Sequence, residues 1–233
     1  NFKLDDQREA LVDDQETWYE MLGDWLSNSK PTAFDNQNLD DPNNYHTARF
    51  NFIAARESFR TLSYDDGLGN VTIGYGFNMS DETAYPQFLR ALGTSREGSV
   101  EDAARYNRLL TGTEKLSEPD ARKLFEVNAG EAEKIVRNRL SGVMLKGHQR
   151  LALVSMVYNH PSLLGQQLIK HVKNKDLKAI EHEIKHRSNK HKIKGIANRR
   201  SFEWDMYAGV KPESDGLMEF LKGSVAKAED LIR

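Results

Sequence analysis

Apolar positions fall at helical spacing along most of this chain and at strand spacing in one short stretch. Leu4, Leu11, Trp18 and Trp25 recur every seven residues, with Met21 and Leu22 beside them and Asp and Glu on the other faces. That pattern predicts one amphipathic helix over 3–26, its apolar stripe packing on the body of the protein or on a partner helix. Residues 27–46 hold Ser, Asn, Asp and two prolines without periodicity and read as a linker or ordered loop. Phe50, Ile53 and Ala54 then mark a short helix from Thr47, an N-cap residue type, to Glu57. Beyond it Val71, Ile73 and Tyr75 alternate with Thr72 and Gly74, the period of a strand. Asp65-Asp66-Gly67 and Gly69-Asn70 supply turn residues, and Leu62 and Tyr64 fit the opposing strand of a hairpin.

Helical spacing returns afterwards. Ser80-Asp81-Glu82 opens a helix through Leu92 with Pro86 near its first turn, and 100–110 reads as another. Leu116-Ser117-Glu118-Pro119-Asp120 is a helix start, with Ser117 as cap and acids and proline in the first turn. Leu124, Val127, Ile135 and Val136 carry that helix to about Arg139, across Gly130. Residues 147–159 are nearly all apolar after Arg150, which predicts a buried core helix. Two helices follow over 163–172 and 176–186, and 216–231 reads as a last small amphipathic helix.

Candidate chemistry concentrates at the hairpin. Glu57 ends the helix before it, Asp66 follows nine residues later, and Thr72 six after that. A carboxylic acid facing a carboxylate and a hydroxyl suits hydrolysis of a glycosidic bond: one carboxyl protonates the leaving oxygen, the other handles a water. Taken as isolated residues, Glu57 and Asp66 read as ordinary surface carboxylates. Together with Ile73-Gly74-Tyr75-Gly76, however, the spacing resembles, without insertion, the catalytic signature of the phage-type (T4-like) lysozymes. The resemblance makes Glu57 the general acid, Asp66 the carboxylate that positions or activates water, and Thr72 the hydroxyl that helps place it. Phe77 departs from the pattern, standing where the family's type enzyme has a histidine, at a structural position.

The resemblance covers about 47–209. It implies an α+β, mostly helical fold: a small lobe with a β-hairpin, a long helix (here 117–139), and a larger helical lobe, with the cleft between. It puts Tyr158 and Asn159, at the end of the core helix, against the substrate; core packing is the other reading of Tyr158. Gly195-Ile196-Ala197-Asn198-Arg199-Arg200-Ser201-Phe202-Glu203 is similar to the family's closing motif, a loop with Asn-Arg leading into a helix. There Arg199 falls where the family has an arginine beside the catalytic glutamate. The implied activity is that of a muramidase cleaving the β-1,4 bond between N-acetylmuramic acid and N-acetylglucosamine in peptidoglycan, with inversion and without a cofactor. The domains expected are 1–46 as acidic helix and linker, 47–209 as the lysozyme-like domain, and 210–233 as a C-terminal helical extension.

Charge adds an asymmetry. The net formal charge is −2, yet residues 1–45 hold three Lys/Arg against eleven Asp/Glu, about −8, while 46–233 hold thirty against twenty-four, about +6. A basic body is drawn to polyanions, a cell wall or a nucleic acid. Residues 185–200 hold seven Lys/Arg and no acid and, taken alone, suggest either. A nucleic-acid-binding protein leaves the carboxylate hairpin unexplained, and a wall-binding module without catalysis does not need all three motif residues. Neither nucleic acid nor membrane is therefore expected as a partner. His182 and His186, four apart, read as part of a solvated basic face rather than a zinc site, which needs further ligands. There is no cysteine, and no apolar run approaches the roughly 18 residues of a membrane span. The chain begins with Asn, which points to processing or a longer parent, and the acidic arm suggests docking to another virion protein. The expected setting is a phage virion, or the host cytoplasm before release, with action on the bacterial wall in the periplasm.

Overall fold

Helix α1 (Pro42–Ala54) starts where the sequence pattern suggested a linker. Asp41 caps it, its Oδ1 accepting from the Asn43 and Asn44 amides at 3.0 and 3.1 Å, and Pro42 takes the first helical position, where no amide is needed. Thr47, expected as the cap, lies in the helix interior and donates its hydroxyl to the Asn43 carbonyl at 3.2 Å. The structure is a computed structural model. It describes residues 38–57, 59–67, 69–187 and 194–209, with 194 and 195 in backbone only. The helices expected over 3–26 and 216–231, and residues 188–193 of the basic stretch, lie outside the described residues.

The described residues gather into two compact units, one of 50–131 and one of 38–49 with 132–209. The first contains the end of α1 and an antiparallel sheet of β1 (Arg60–Asp65), β2 (Val71–Gly74) and β3 (Phe77–Asn78), in that order. Helices α2 (Ala84–Leu92) and α3 (Val100–Leu110) follow, then the start of α4 (Glu118–Arg139). Its core is aromatic. The Phe50 ring meets Tyr75 and Phe125 edge-on at centroid distances of 5.3 and 5.1 Å, contacts worth about 0.5–1.5 kcal/mol each beyond burial. Phe77 is 3% exposed and pairs across from Ile73, a core position, in keeping with the structural place expected for it. Helix α2 begins at Ala84 rather than Ser80, because Asp81 closes a turn on Thr83, whose amide and hydroxyl both donate to it.

Helix α3 opens with a reciprocal cap. The Asp102 amide donates to Ser99 Oγ at 3.0 Å, and the Ser99 amide to Asp102 Oδ2 at 2.8 Å. Thr94 adds its hydroxyl to Asp102 Oδ2 at 2.7 Å. The Thr94 hydroxyl foremost, then the Ser99 bonds and the Thr94 amide, hold the Asp102 carboxyl down at about 2 against the opposing effect of burial. A depressed carboxyl stabilises the fold above its unfolded value and loses that contribution as pH falls through the folded one. Asp102→Ala should therefore lower Tm by a few degrees at neutral pH. The difference from the wild type should shrink as pH falls from 4 to 2, as thermal melts across that range would show.

The second unit is helical: the start of α1, the end of α4 from Ala132, then α5 (Gly147–Asn159), α6 (Gln166–Asn174), α7 (Leu177–Lys185) and α8 (Lys194–Ala208). Helix α5 is the core element expected from its apolar sequence, with every residue from Leu151 to Val157 at most 2% exposed. Helix α8 packs on α5 and on α7. Gly147 lets the chain approach α5 at its first turn, since a Cβ there would sit 2.2 Å from the Leu39 carbonyl oxygen. Its amide donates to Asp40 Oδ1 at 2.8 Å, so an acid caps the positive end of α5. Helix α4, expected as the long helix between lobes, runs 22 residues and divides between the units at Glu131 and Ala132. Asn198 and Arg199 lie within α8, not in a loop before it: the helix begins at Lys194.

Candidate active site

The hairpin is built by its turn. Asp65 Oδ1 accepts the amides of Gly67 and Gly69 at 2.7 and 3.3 Å, and both glycines have the positive φ that a side chain would resist. Asp66, just past β1, is exposed and clamped by Asn70. Asn70 gives its amide to Oδ1 at 3.1 Å and its side-chain nitrogen to Oδ2 at 2.9 Å, while the Asp66 amide returns a bond to the Asn70 carbonyl at 3.0 Å. Asn70 thus occupies two of the roughly four acceptor sites of the carboxylate and fixes its plane. The sequence marked Asn70 only as a turn residue; its second role shows once the turn closes.

Thr72 stands on β2 between Tyr64 of β1 and Asn78 of β3, its partners in the two ladders. Directly opposite residues share a face of the sheet, so these three side chains form a row across it. Thr72 is only 6% exposed, although the alternation of Val71, Ile73 and Tyr75 would leave it on the solvent side of a half-buried strand. The strand is covered on both faces. A bulge in β1 between Arg60 and Tyr64 shifts the register just before Tyr64.

Glu57 follows α1, its amide bonded to the Ala54 carbonyl at 3.1 Å, and is half-buried with its Oε1 shielded from solvent. The charges of Glu57 and Asp66 both bear on Tyr64. Burial first, then Glu57, and more weakly Asp66, raise the Tyr64 phenol above its ordinary value, against the pull of Arg60, whose guanidinium lies 5.5 Å from the ring. Tyr64 therefore keeps its proton and stands within electrostatic reach of both carboxylates. In the sequence Tyr64 shows only as a strand residue, and no local signal distinguishes it from Leu62.

The other candidates belong to the second unit. Tyr158 is half-buried and Asn159 exposed at the end of α5. Asn159 Oδ1 accepts from Arg200 Nη2 at 2.6 Å. Arg199 is 9% exposed and donates Nε to Glu203 Oε1 at 3.4 Å. His182, on α7, and His186, just past its end, bring their rings to 5.3 Å.

A half-buried carboxyl at a helix end, with a clamped carboxylate and a hydroxyl on the following hairpin, is the equipment of a glycosidase. The family model for phage lysozymes matches residues 54–203, well over half of the chain. The chain belongs to the phage lysozyme family, and it is a glycoside hydrolase that degrades peptidoglycan. Among solved structures it is similar to the endolysin from Escherichia coli O157:H7 phage FAHEc1, at 20% identity and a TM-score of 0.51, covering 71% of this chain and 94% of that one. It is also similar to the muramidase domain of SpmX from Asticaccaulis excentricus, at 19% identity and a TM-score of 0.48, covering 69% and 94%. The endolysin supports the lysozyme-like α+β fold. No curated protein matches the sequence. Among the described residues no helix is long and apolar enough to cross a membrane.

Proposed function

We propose that this lysozyme cleaves the β-1,4 bond between N-acetylmuramic acid and N-acetylglucosamine with inversion. Glu57 protonates the leaving oxygen, Asp66 activates a water on the opposite face of the sugar, and Thr72 helps hold that water. What supports this reading is the place of Thr72 across from Tyr64, a residue on which both carboxylates, Glu57 and Asp66, bear. The shielding of Glu57 Oε1 supports an acid role, because a proton donor works best away from bulk water. The clamp from Asn70 supports the base role, since a carboxylate must be oriented to aim a water.

Tyr158 and Asn159 contact the glycan in this reading, and Arg199 supports Glu57. Residues 47–209 form the working domain, and the acidic 1–46 segment docks the enzyme to another protein of a phage particle. The setting is phage infection or lysis, with the bacterial wall as target. The test is the anomeric form of the first product, read by proton NMR within minutes of mixing enzyme with purified peptidoglycan. The α-anomer of the new reducing end is expected. A product that first appears as the β-anomer would overturn the water-activating role of Asp66 and replace it with a covalent one. A protein that leaves the polymer intact would overturn the whole reading.

A further inference from the structure

Three side chains of the second unit that are fully or almost fully buried are ionic or polar without an evident need: Ser155 on α5, and Arg200 and Glu203 on α8, each at 0% exposure. They form a chain of contacts. Ser155 Oγ donates to Glu203 Oε1 at 2.8 Å, Glu203 Oε2 pairs with Arg200 Nη1 at 2.6 Å, and Arg200 Nη2 donates to Asn159 Oδ1 at 2.6 Å. Arg199 Nε adds a longer bond to Glu203 at 3.4 Å. Burying an ion pair costs more in desolvation than it commonly returns, so stability alone does not account for one at this place. What distinguishes this pair is its outer end, which touches one exposed side chain, Asn159.

We propose that Arg200 is a positioning residue that fixes the Asn159 amide so that its N–H groups face an amide carbonyl of the glycan's N-acetyl groups. A guanidinium has donors only, so the atom of Asn159 it meets must be the oxygen. The nitrogen is therefore turned outward, and Asn159 offers donors alone. A hydroxyl could be read by a donor or an acceptor; an acetamide carbonyl can only accept, and it fits a site that only donates. Glu203 and Ser155 hold the guanidinium in plane, and the planar fork resists the rotation that would free the amide. The proposal rests on the reading of Asn159 as a substrate contact.

The experiment is steady-state kinetics on soluble glycan chains of alternating N-acetylmuramic acid and N-acetylglucosamine, for Asn159→Ala, Arg200→Lys and the double variant, with Tm measured on each. Asn159→Ala should raise KM about three- to tenfold with kcat nearly unchanged. Arg200→Lys should raise KM too, and the double variant should be no worse than Asn159→Ala, because Arg200 acts through Asn159. Asn159→Asp serves if Arg200→Lys fails to fold. It keeps the inner oxygen for Arg200 but turns an acceptor outward, so KM should rise as in Asn159→Ala while Tm holds. On partly de-N-acetylated glycan the wild-type KM should rise and that of Asn159→Ala should not rise further. Additive KM effects, or an Arg200→Lys protein that changes only in Tm, would overturn the positioning role and leave the muramidase reading intact. A wild-type KM in Asn159→Ala would overturn the contact itself. Failure of the underlying reading looks different, since the wild-type protein then does not cleave the glycan at all, and the proposal goes with it.

Discussion

Glu57→Gln should reduce peptidoglycan lysis to background in a protein that folds as the wild type does. The substitution keeps the size and hydrogen-bonding capacity of the side chain but leaves no proton for a poor leaving group. A positioned general acid accounts for about 10²–10⁴ of rate, and a sugar alkoxide cannot leave unprotonated at a useful rate. Glu57 is half-buried and outside the aromatic core, so Tm should move little. Asp66→Asn should also be severe, because the water loses its charged partner. Asn70 still holds an amide at that place, and weak orientation of the water survives. Thr72→Ser should be tolerated best, since the hydroxyl remains and only a methyl contact of a buried residue is lost. Turbidity clearing of permeabilised cells ranks the three. Substantial clearing by a well-folded Glu57→Gln protein would sink the assignment of Glu57.

Much of this was legible in the sequence because the signals are local. The hairpin rests on turn glycines and a period-2 run, and α5 on continuous apolar residues that no solvated helix would carry. Ser117 caps α4 as its position suggested, accepting the Asp120 amide at 3.3 Å. The misses follow from ambiguity in residue types. Asp41 and Pro42 stand among Asn and Asp residues that favour loops, yet the same pair starts a helix whose Tyr45, Ala48 and Arg49 are buried. Strand β3 is two residues long, too short for any period to show.

The largest miss was in the basic stretch. As sequence, Arg199 and Arg200 group with the lysines before them as a run that suggests polyanion binding, and the resemblance sets Arg199 beside Glu57; the structure buries both. Glu203, an acid that both of them meet, lies three and four residues further along α8, just outside the acid-free window. Phe202 and Met206 beside it, both buried, mark the inward face on which Glu203 falls, and that spacing was the available signal. Ser155, 48 residues away in the chain, could come only from the fold.

Glu203→Ala should then be among the most damaging substitutions for stability. It removes the carboxylate shared by Arg200, which has no exposure, and Arg199, which has little, so positive charge in the packed face between α5 and α8 loses an acid. Removing one partner of a buried pair typically costs about 3–5 kcal/mol, on the order of 10 °C in Tm for a chain of this size. The loss is mainly the stranded charge rather than the worth of the bond. Replacing the pair together by apolar residues of similar volume, Arg200→Met with Glu203→Leu, should therefore recover part of the stability, since the Arg200 charge goes while Arg199 and Ser155 still lose Glu203. It should not recover KM, because no group is left to turn Asn159 outward. Denaturant melts and kinetics on the two proteins separate these effects. A Glu203→Ala protein within about 1 kcal/mol of the wild type would mean that water reaches the guanidinium in solution, as it does at exposed ion pairs. A double variant with wild-type KM would show that the buried charges hold the two helices in register and do nothing for Asn159.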